Sequence, residues 1–340
     1  MGNVLGAGLG QAPARQAALK AGLPQSVNCT SVNKVCGSGL KAVMLAAQAI
    51  RAGECQVAVA GGMESMSNAP YLLPKARVGY GMGDGTVVDS LIKDGLWDVY
   101  NNFHMGAAAE LCAERYGISR AEQDRFAAQS YHRAQAAQHR GDFAREIVPV
   151  TLVPEERKGA LLTEDEEPTR FDENRMKSLK PAFKHSGTVT AGNASSISDG
   201  AAALLLASSD TARAIGLRPI ARMVDFVSSA REPQWFTIAP ADAITRLLDR
   251  NRLEVRDVDL FEINEAFSVS SIAVNRELGL DEDKVNVRGG AVALGHPIGA
   301  SGARILVTLL YALIDRGKKL GVAALCIGGG EAVAVLVERV

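Results

Sequence analysis

An internal repetition narrows what this chain can fold into more than any other feature. Twice the sequence runs through a helix, a Val-Asn pair, a small-residue motif, a long apolar helix, a short strand and a Gly-Gly. Val32-Asn33 corresponds to Val285-Asn286, and Ala60-Gly61-Gly62 to Ile327-Gly328-Gly329. Such a repeat predicts a duplicated α/β domain with one site where the two copies meet.

In the first copy a helix is expected over 12–21. A second begins near Ser38, where Leu40, Val43, Met44, Ala47 and Ile50 fall at helical spacing, and a strand follows over 56–60. The second copy should carry strands over 220–227, 258–263 and 322–326, with helices over 241–250, up to about 278, and 301–316. Between the copies the rhythm breaks down into Gly, Pro and charged clusters around two helices. The second of these opens on the capping box Ser119-Arg120-Ala121-Glu122 and runs to Gly141. The organisation follows: residues 1–67 as the first part of the N-terminal half, 68–187 as an inserted loop domain, 188–219 as the return, and 220–340 as the C-terminal half.

The copies are unequal. The second has a strand, a helix and another strand ahead of its first shared helix, whereas the first has only residues 1–9. The expectation is an N-terminal sheet that lacks its opening strand and helix, from a truncated or mis-assigned start.

Composition removes several classes. Lys plus Arg number 37 against 38 Asp plus Glu, a formal net charge of -1, so no basic surface points to nucleic acid. No apolar run is long enough for a membrane span, and the first residues do not resemble a secretory signal, so a cytoplasmic location is expected. The five cysteines form neither a disulfide framework nor a CxxC metal site. In Gly6-Ala7-Gly8-Leu9-Gly10 the third glycine comes one residue early for a dinucleotide fingerprint.

Cys36, in Val32-Asn33-Lys34-Val35-Cys36-Gly37-Ser38-Gly39, sits at the expected start of a buried helix. Two readings are open: a thiol whose pKa is lowered by the helix N-terminus, or a buried core cysteine. His296, in a glycine-lined loop, is a proton acceptor for such a thiol, and Cys326, at a strand end, is a second acid/base. Asn264 offers an amide to an oxyanion or a water. Each alone has a bland counterpart in a loop histidine, a strand cysteine or a turn asparagine.

Six stretches together resemble the thiolase family over essentially the whole chain. They are 32–39, Gly61-Gly62-Met63-Glu64-Ser65-Met66, Thr190-Ala191-Gly192-Asn193-Ala194-Ser195, Asn264-Glu265-Ala266-Phe267, Gly295-His296-Pro297-Ile298-Gly299-Ala300-Ser301-Gly302 and Cys326-Ile327-Gly328-Gly329-Gly330. The resemblance implies a five-layered αβαβα core from two similar halves, with a loop domain inserted in the first. It also implies two-step acyl transfer between coenzyme A thioesters, which are substrates, without metal or nucleotide cofactor.

Carried onto this chain, Cys36 would take the acyl group, His296 its proton, and Cys326 a proton from the methyl of acetyl-CoA. Asn264 with a bound water and His296 resemble one oxyanion hole, and the backbone N–H groups of Cys36 and Gly328 a second. Ser195 matches a serine contacting the pantetheine arm, with Phe267 also on the substrate side. His104-Met105-Gly106 matches the loop over the thioester in members acting on acetoacetyl-CoA.

Expected partners are acetyl-CoA, acetoacetyl-CoA and coenzyme A, in a homodimer or homotetramer. Arg170, Arg175 and Lys177 are candidates for the coenzyme A phosphates. The alternatives are a broader-range 3-ketoacyl-CoA thiolase and, from another class, an inactive truncated subunit with an assembly role. Two local departures from the family pattern are Glu232-Pro233-Gln234-Trp235-Phe236-Thr237, which lacks a Met-Gly, and Glu331-Ala332 after the triple glycine.

Overall fold

The computed structural model describes residues 1–152 and 159–340. The first copy contributes α1 (Pro13–Lys20), α2 (Ser38–Arg51) and β1 (Val57–Ser65). The insertion holds three two-residue hairpins, β2 (Tyr71–Leu72) with β3 (Val88–Asp89), β4 (Trp97–Asp98) with β5 (Phe103–His104), and β6 (Val150–Thr151) with β7 (Leu161–Leu162). It also carries α3 (Met105–Tyr116), α4 (Arg120–Arg140) and the short α5 (Glu173–Ser178). The chain returns through β8 (Asp199–Ala207) and α6 (Ser209–Ala214). The second copy is β9 (Ala221–Ala230), α7 (Ala239–Asn251), β10 (Leu260–Ile263), α8 (Ser268–Leu278), α9 (Ala291–Leu294), α10 (Ser301–Asp315), β11 (Leu320–Ile327) and β12 (Glu331–Arg339).

Strand pairing bears out the repetition. In the second copy the sheet order is β10-β11-β12-β9, with β10 parallel to β11 and the other pairs antiparallel. In the first, β1 pairs antiparallel with β8, and Gly2 bridges in parallel to both Val32 and Gly62. Phe261 does the same in the second copy, bridging Val285 and pairing with Val322. Even the small bridge Lys34 to Cys36 recurs at Val287 to Gly289.

The halves differ where the second has β9 and α7. There α7 covers the outer face of the sheet, and Val333, Ala334, Val335 and Leu336 are fully buried. On the outer face of the first copy's sheet Val59 is 51% and Leu205 56% exposed, and among the described residues no equivalent of β9 or α7 covers them. The final strand, β12, is absent from the sequence expectations. Its run Ala332 to Val337 is apolar on both faces because it is central in its sheet, so it lacks the alternation that marks a half-buried strand.

The centre is a helix pair. In α10, Ile305, Leu306, Leu309 and Leu313 are at most 1% exposed, each worth about 1.5–3 kcal/mol relative to exposure. With Leu40, Val43 and Met44 of α2 they form a cluster that reaches Leu325 and Ile327 of β11 and Ala60 of β1. The two helices meet through their glycines. A Cβ on Gly302 would lie 2.4 Å from the Leu40 nitrogen, and one on Gly39 2.8 Å from the Ala303 nitrogen. Backbone therefore packs on backbone at the start of both helices, and their N-termini stand side by side. None of the helices among the described residues is long and apolar enough to cross a membrane.

This contact leaves no room for a methyl group. Gly302→Ala should lower the stability measured by chemical denaturation by about 1–3 kcal/mol. Gly81→Ala, where nothing lies within 4 Å of the new carbon, should leave the midpoint unchanged.

Candidate active site

Cys36 is presented by a strained turn. Val35 has φ of +46°, a left-handed conformation that costs a β-branched residue about 1–3 kcal/mol. Local hydrogen bonds hold it: Val35 N–H donates to Asn33 Oδ1 (3.0 Å), Lys34 N–H to Ser38 Oγ (2.8 Å), and the Ser38 hydroxyl to the Val35 carbonyl (2.7 Å). The Lys34 ammonium pairs with Glu331 of β12, so the turn is also tied to the other half. That contact accounts for Glu331, and Ala332 beside it is fully buried opposite Cys326.

The Cys36 sulfur lies within hydrogen-bonding reach of the backbone N–H groups of Gly328 and of Cys36 itself. Cys326, at the end of β11, is 1% exposed and near enough for the two thiols to interact electrostatically. Cys36, Gly328 and Cys326, far apart in sequence, are thus brought together.

The helix N-terminus does not make the Cys36 thiol acidic. Burial pushes it up to about 11, outweighing the donors from Gly328 and Cys36, and the negative charge of Glu64 adds to the rise. Burial also raises Cys326, and the neighbouring Cys36 raises it further. The helix N-terminus does not overcome the loss of water, and the resting site holds neutral thiols.

His296 is buried and its ring is fixed at both nitrogens. Nδ1 lies 2.5 Å from Ser301 Oγ, and the Ser301 hydroxyl donates to the Pro297 carbonyl at 2.9 Å. Since serine has one proton, Nδ1–H must be the donor to Oγ, and Nε2 keeps its lone pair. Asn264 Nδ2 lies 3.4 Å from Nε2. Burial first, and then the Arg304 charge, push the imidazole pKa down to about 3, so it is a neutral acceptor near pH 7. The Oδ1 of Asn264 is buried and has no hydrogen-bond partner among the described residues.

Two buried carboxylates hold this loop. Glu265 accepts from the Ser130 hydroxyl (2.7 Å), Asn286 Nδ2 (2.8 Å) and Val292 N–H (3.2 Å). Glu64, from β1, accepts from Gly299 N–H at 2.9 Å.

An apolar wall lies on the other side. Ser195 donates through its hydroxyl (2.9 Å) and its N–H (3.1 Å) to the Ala266 carbonyl, setting it against Phe267. Phe267 meets Phe183 and Phe236 edge-on at 6.4 and 6.5 Å. His104 stacks on Phe183 at 4.7 Å, and its Nδ1 accepts from Gly106 N–H as the cap of α3. Met105, Phe267 and Cys326 share one buried cluster, and a Cβ on Gly328 would meet the Met105 sulfur at 3.5 Å. In the departing segment 232–237, Phe236 joins this wall and Trp235 stacks under Arg115, 4.4 Å from the guanidinium carbon.

Of the expected phosphate cations, Arg170 pairs with Glu166 and Glu167, and Lys177 with Glu173. Sequence reasoning gave no role to Ser301, Glu64, Glu265, Phe183 or Phe236, although the first three lie inside the quoted motifs. Among the described residues no cluster of three or more His, Cys, Asp or Glu side chains could hold a metal ion.

Both halves are shared with known proteins. The N-terminal thiolase domain matches residues 1–210 and the C-terminal thiolase domain residues 217–339, so the chain belongs to the thiolase family. It is 52% identical to the acetyl-CoA acetyltransferase of Schizosaccharomyces pombe, covering 100% of this chain and 86% of that protein. It is 54% identical to acetyl-CoA acetyltransferase 1 of Arabidopsis thaliana, covering 99% and 82%. The crystal structure of the Acat5 thiolase of Ascaris suum in complex with coenzyme A superposes with a TM-score of 0.94 at 47% identity, covering 100% of this chain and 86% of that one.

A raised thiol pKa predicts how Cys36 responds to alkali. Its alkylation by iodoacetamide in the free protein, followed at the Cys36 peptide by mass spectrometry, should rise about tenfold per pH unit from pH 7 to 10. A plateau near neutrality would instead reveal a resting thiolate.

Proposed function

We propose that the chain is an acetyl-CoA C-acetyltransferase, which cleaves acetoacetyl-CoA with coenzyme A and condenses two acetyl-CoA in the reverse direction. The observation that carries the reading is the Cys36 sulfur seated between two backbone N–H donors with a second thiol beside it.

Cys36 attacks the thioester carbonyl while the lone pair on His296 Nε2 takes the thiol proton. Neutral groups suit this step, because a proton moved in the transition state avoids a stable buried ion pair. The oxygen of the tetrahedral intermediate takes up the N–H groups of Gly328 and Cys36, and loss of such a donor typically costs about a hundredfold or more. The Cys326 thiol protonates the departing sulfur, so coenzyme A leaves as a free thiol while Cys36 carries an acetyl group, His296 keeps the Cys36 proton on Nε2 and Cys326 is left as a thiolate.

A second acetyl-CoA then loses a methyl proton to the Cys326 thiolate. Its enolate oxygen faces Nε2–H of His296 and a water held by Asn264, whose free Oδ1 is a ready acceptor. The carbanion attacks acetyl-Cys36, releasing acetoacetyl-CoA and the Cys36 thiolate, which takes back its proton from His296 Nε2 and restores the neutral site. Ser195 and Phe267 line the path of the pantetheine arm, and coenzyme A thioesters are the only further reactants, with no metal or nucleotide.

Met105 packed on Gly328 leaves little depth for a long acyl chain, which favours acetoacetyl-CoA over longer 3-ketoacyl substrates. The five unpaired cysteines suit a reducing cytosol. The exposed Val59 and Leu205 suit a homodimer or homotetramer.

Cys36→Ala should abolish the acetyl adduct that mass spectrometry finds after incubation with acetyl-CoA. Cys326→Ala should keep that adduct yet lose both condensation and deuterium exchange at the acetyl methyl. Equal loss of the adduct in both variants would overturn the division of labour. Thiolysis of acetoacetyl-CoA should outpace that of a medium-chain 3-ketoacyl-CoA; the opposite ranking would favour the broad-range alternative.

A further inference from the structure

Glu64 is 5% exposed, lies on β1 in the half that carries Cys36, and reaches the loop that carries His296. Among the described residues its carboxylate accepts four N–H groups and no cation. Asn3 Nδ2 (3.0 Å) and Leu5 N–H (3.1 Å) donate to Oε1, and Val4 N–H (3.0 Å) and Gly299 N–H (2.9 Å) to Oε2.

Gly299 lies in the turn that fixes the imidazole. One residue on, Ala300 N–H donates to the Pro297 carbonyl, which also receives the N–H and hydroxyl of Ser301. That serine in turn receives Nδ1–H of His296. The turn has no slack against the sheet: a Cβ on Gly299 would meet Glu64 Oε2 at 2.6 Å, and one on Gly62 would meet the Gly299 carbonyl at 1.9 Å. A carboxylate here also takes up the Gly299 N–H ahead of α10, where negative charge is favoured.

We propose that Glu64 is a positioning residue of the acyl-transfer site, whose carboxylate holds the His296 turn through Gly299. That role rests on the thiolase reading, whereas the effect of its charge on Cys36 needs no substrate.

Burial raises the Glu64 pKa, and the N–H groups of Leu5, Val4 and Gly299 pull it back, so the ionised form is the one this cradle fits. Its charge raises the Cys36 thiol. The other ionisable groups that act on the two are Asp199 on β8 and Cys326 on β11, and Lys34, paired with Glu331 of β12, lies two residues before Cys36. Glu265 holds the other end of the loop, at Val292, and provides a contrast.

The test uses the full chain and two variants, Glu64→Gln and Glu265→Gln, each first checked for a cooperative melt. For Glu64→Gln, kcat for thiolysis should fall about ten- to hundredfold, the size expected for a displaced catalytic group, with KM little changed because the Ser195 and Phe267 side is untouched. Iodoacetamide should alkylate its Cys36 several-fold faster at pH 8, with the whole profile displaced toward acid. In Glu265→Gln that profile should stay in place.

A folded Glu64→Gln protein with wild-type kcat, or with an undisplaced Cys36 profile, would overturn the proposal, as would equal displacement in both variants. Should Glu64→Gln not fold, Asn3→Ala removes one donor and leaves the carboxylate. Its weaker cradle raises the Glu64 pKa further, so the acid limb of kcat should move to higher pH; an unmoved limb would overturn the positioning role. If the wild-type protein forms no acetyl-Cys36, the thiolase reading fails, and the alkylation profiles still decide whether Glu64 acts on Cys36.

Discussion

Backbone contact between α2 and α10 underlies the rest of this structure. Gly39 and Gly302 remove the side chains that would hold the helices apart, and Leu40, Ile305 and their neighbours drive them together. The consequence is geometric: Cys36 precedes one helix and His296 the other, so close packing of the two N-termini brings the turns that carry them together. A single extra carbon at this contact acts on fold and chemistry together, because close-packed interiors transmit small changes in volume.

Polar groups follow the same logic across the boundary between halves. Lys34 pairs with Glu331, Glu64 binds Gly299, and Gly328 donates toward the Cys36 sulfur. Each joins the first copy to the second, so the site belongs to neither alone. Burial also sets its ionisation. Cys36 is raised to about 11 and His296 lowered to about 3, so the site rests neutral and charge develops only as the reaction proceeds. Preorganised N–H donors are most effective in such a dry environment.

Much of this was legible in the chain. The duplicated order of elements gave the α/β class and the pairing of copies, and the small-residue motifs marked Cys36, Asn264, His296 and Cys326. The strand β12 was not legible, since an unbroken apolar run has no period to read. The acidity of Cys36 was open in the sequence, because a helix N-terminus can be inferred there while the depth of burial around it cannot. Ser301, Glu64 and Glu265 stood inside quoted motifs, yet their partners Pro297, Gly299 and Val292 become apparent only once the loop is folded.

By itself the sequence determined the repeat, the helices with clear apolar spacing and the residue types available for chemistry, all of which are properties of local order along the chain. The tertiary structure alone decided which nitrogen of His296 is free, why Glu331 stands where it does, and that the thiols rest protonated. These depend on distance and on exclusion of water in the folded chain, between groups as near in sequence as His296 and Ser301 or as far as Lys34 and Glu331, and the order of residues encodes neither.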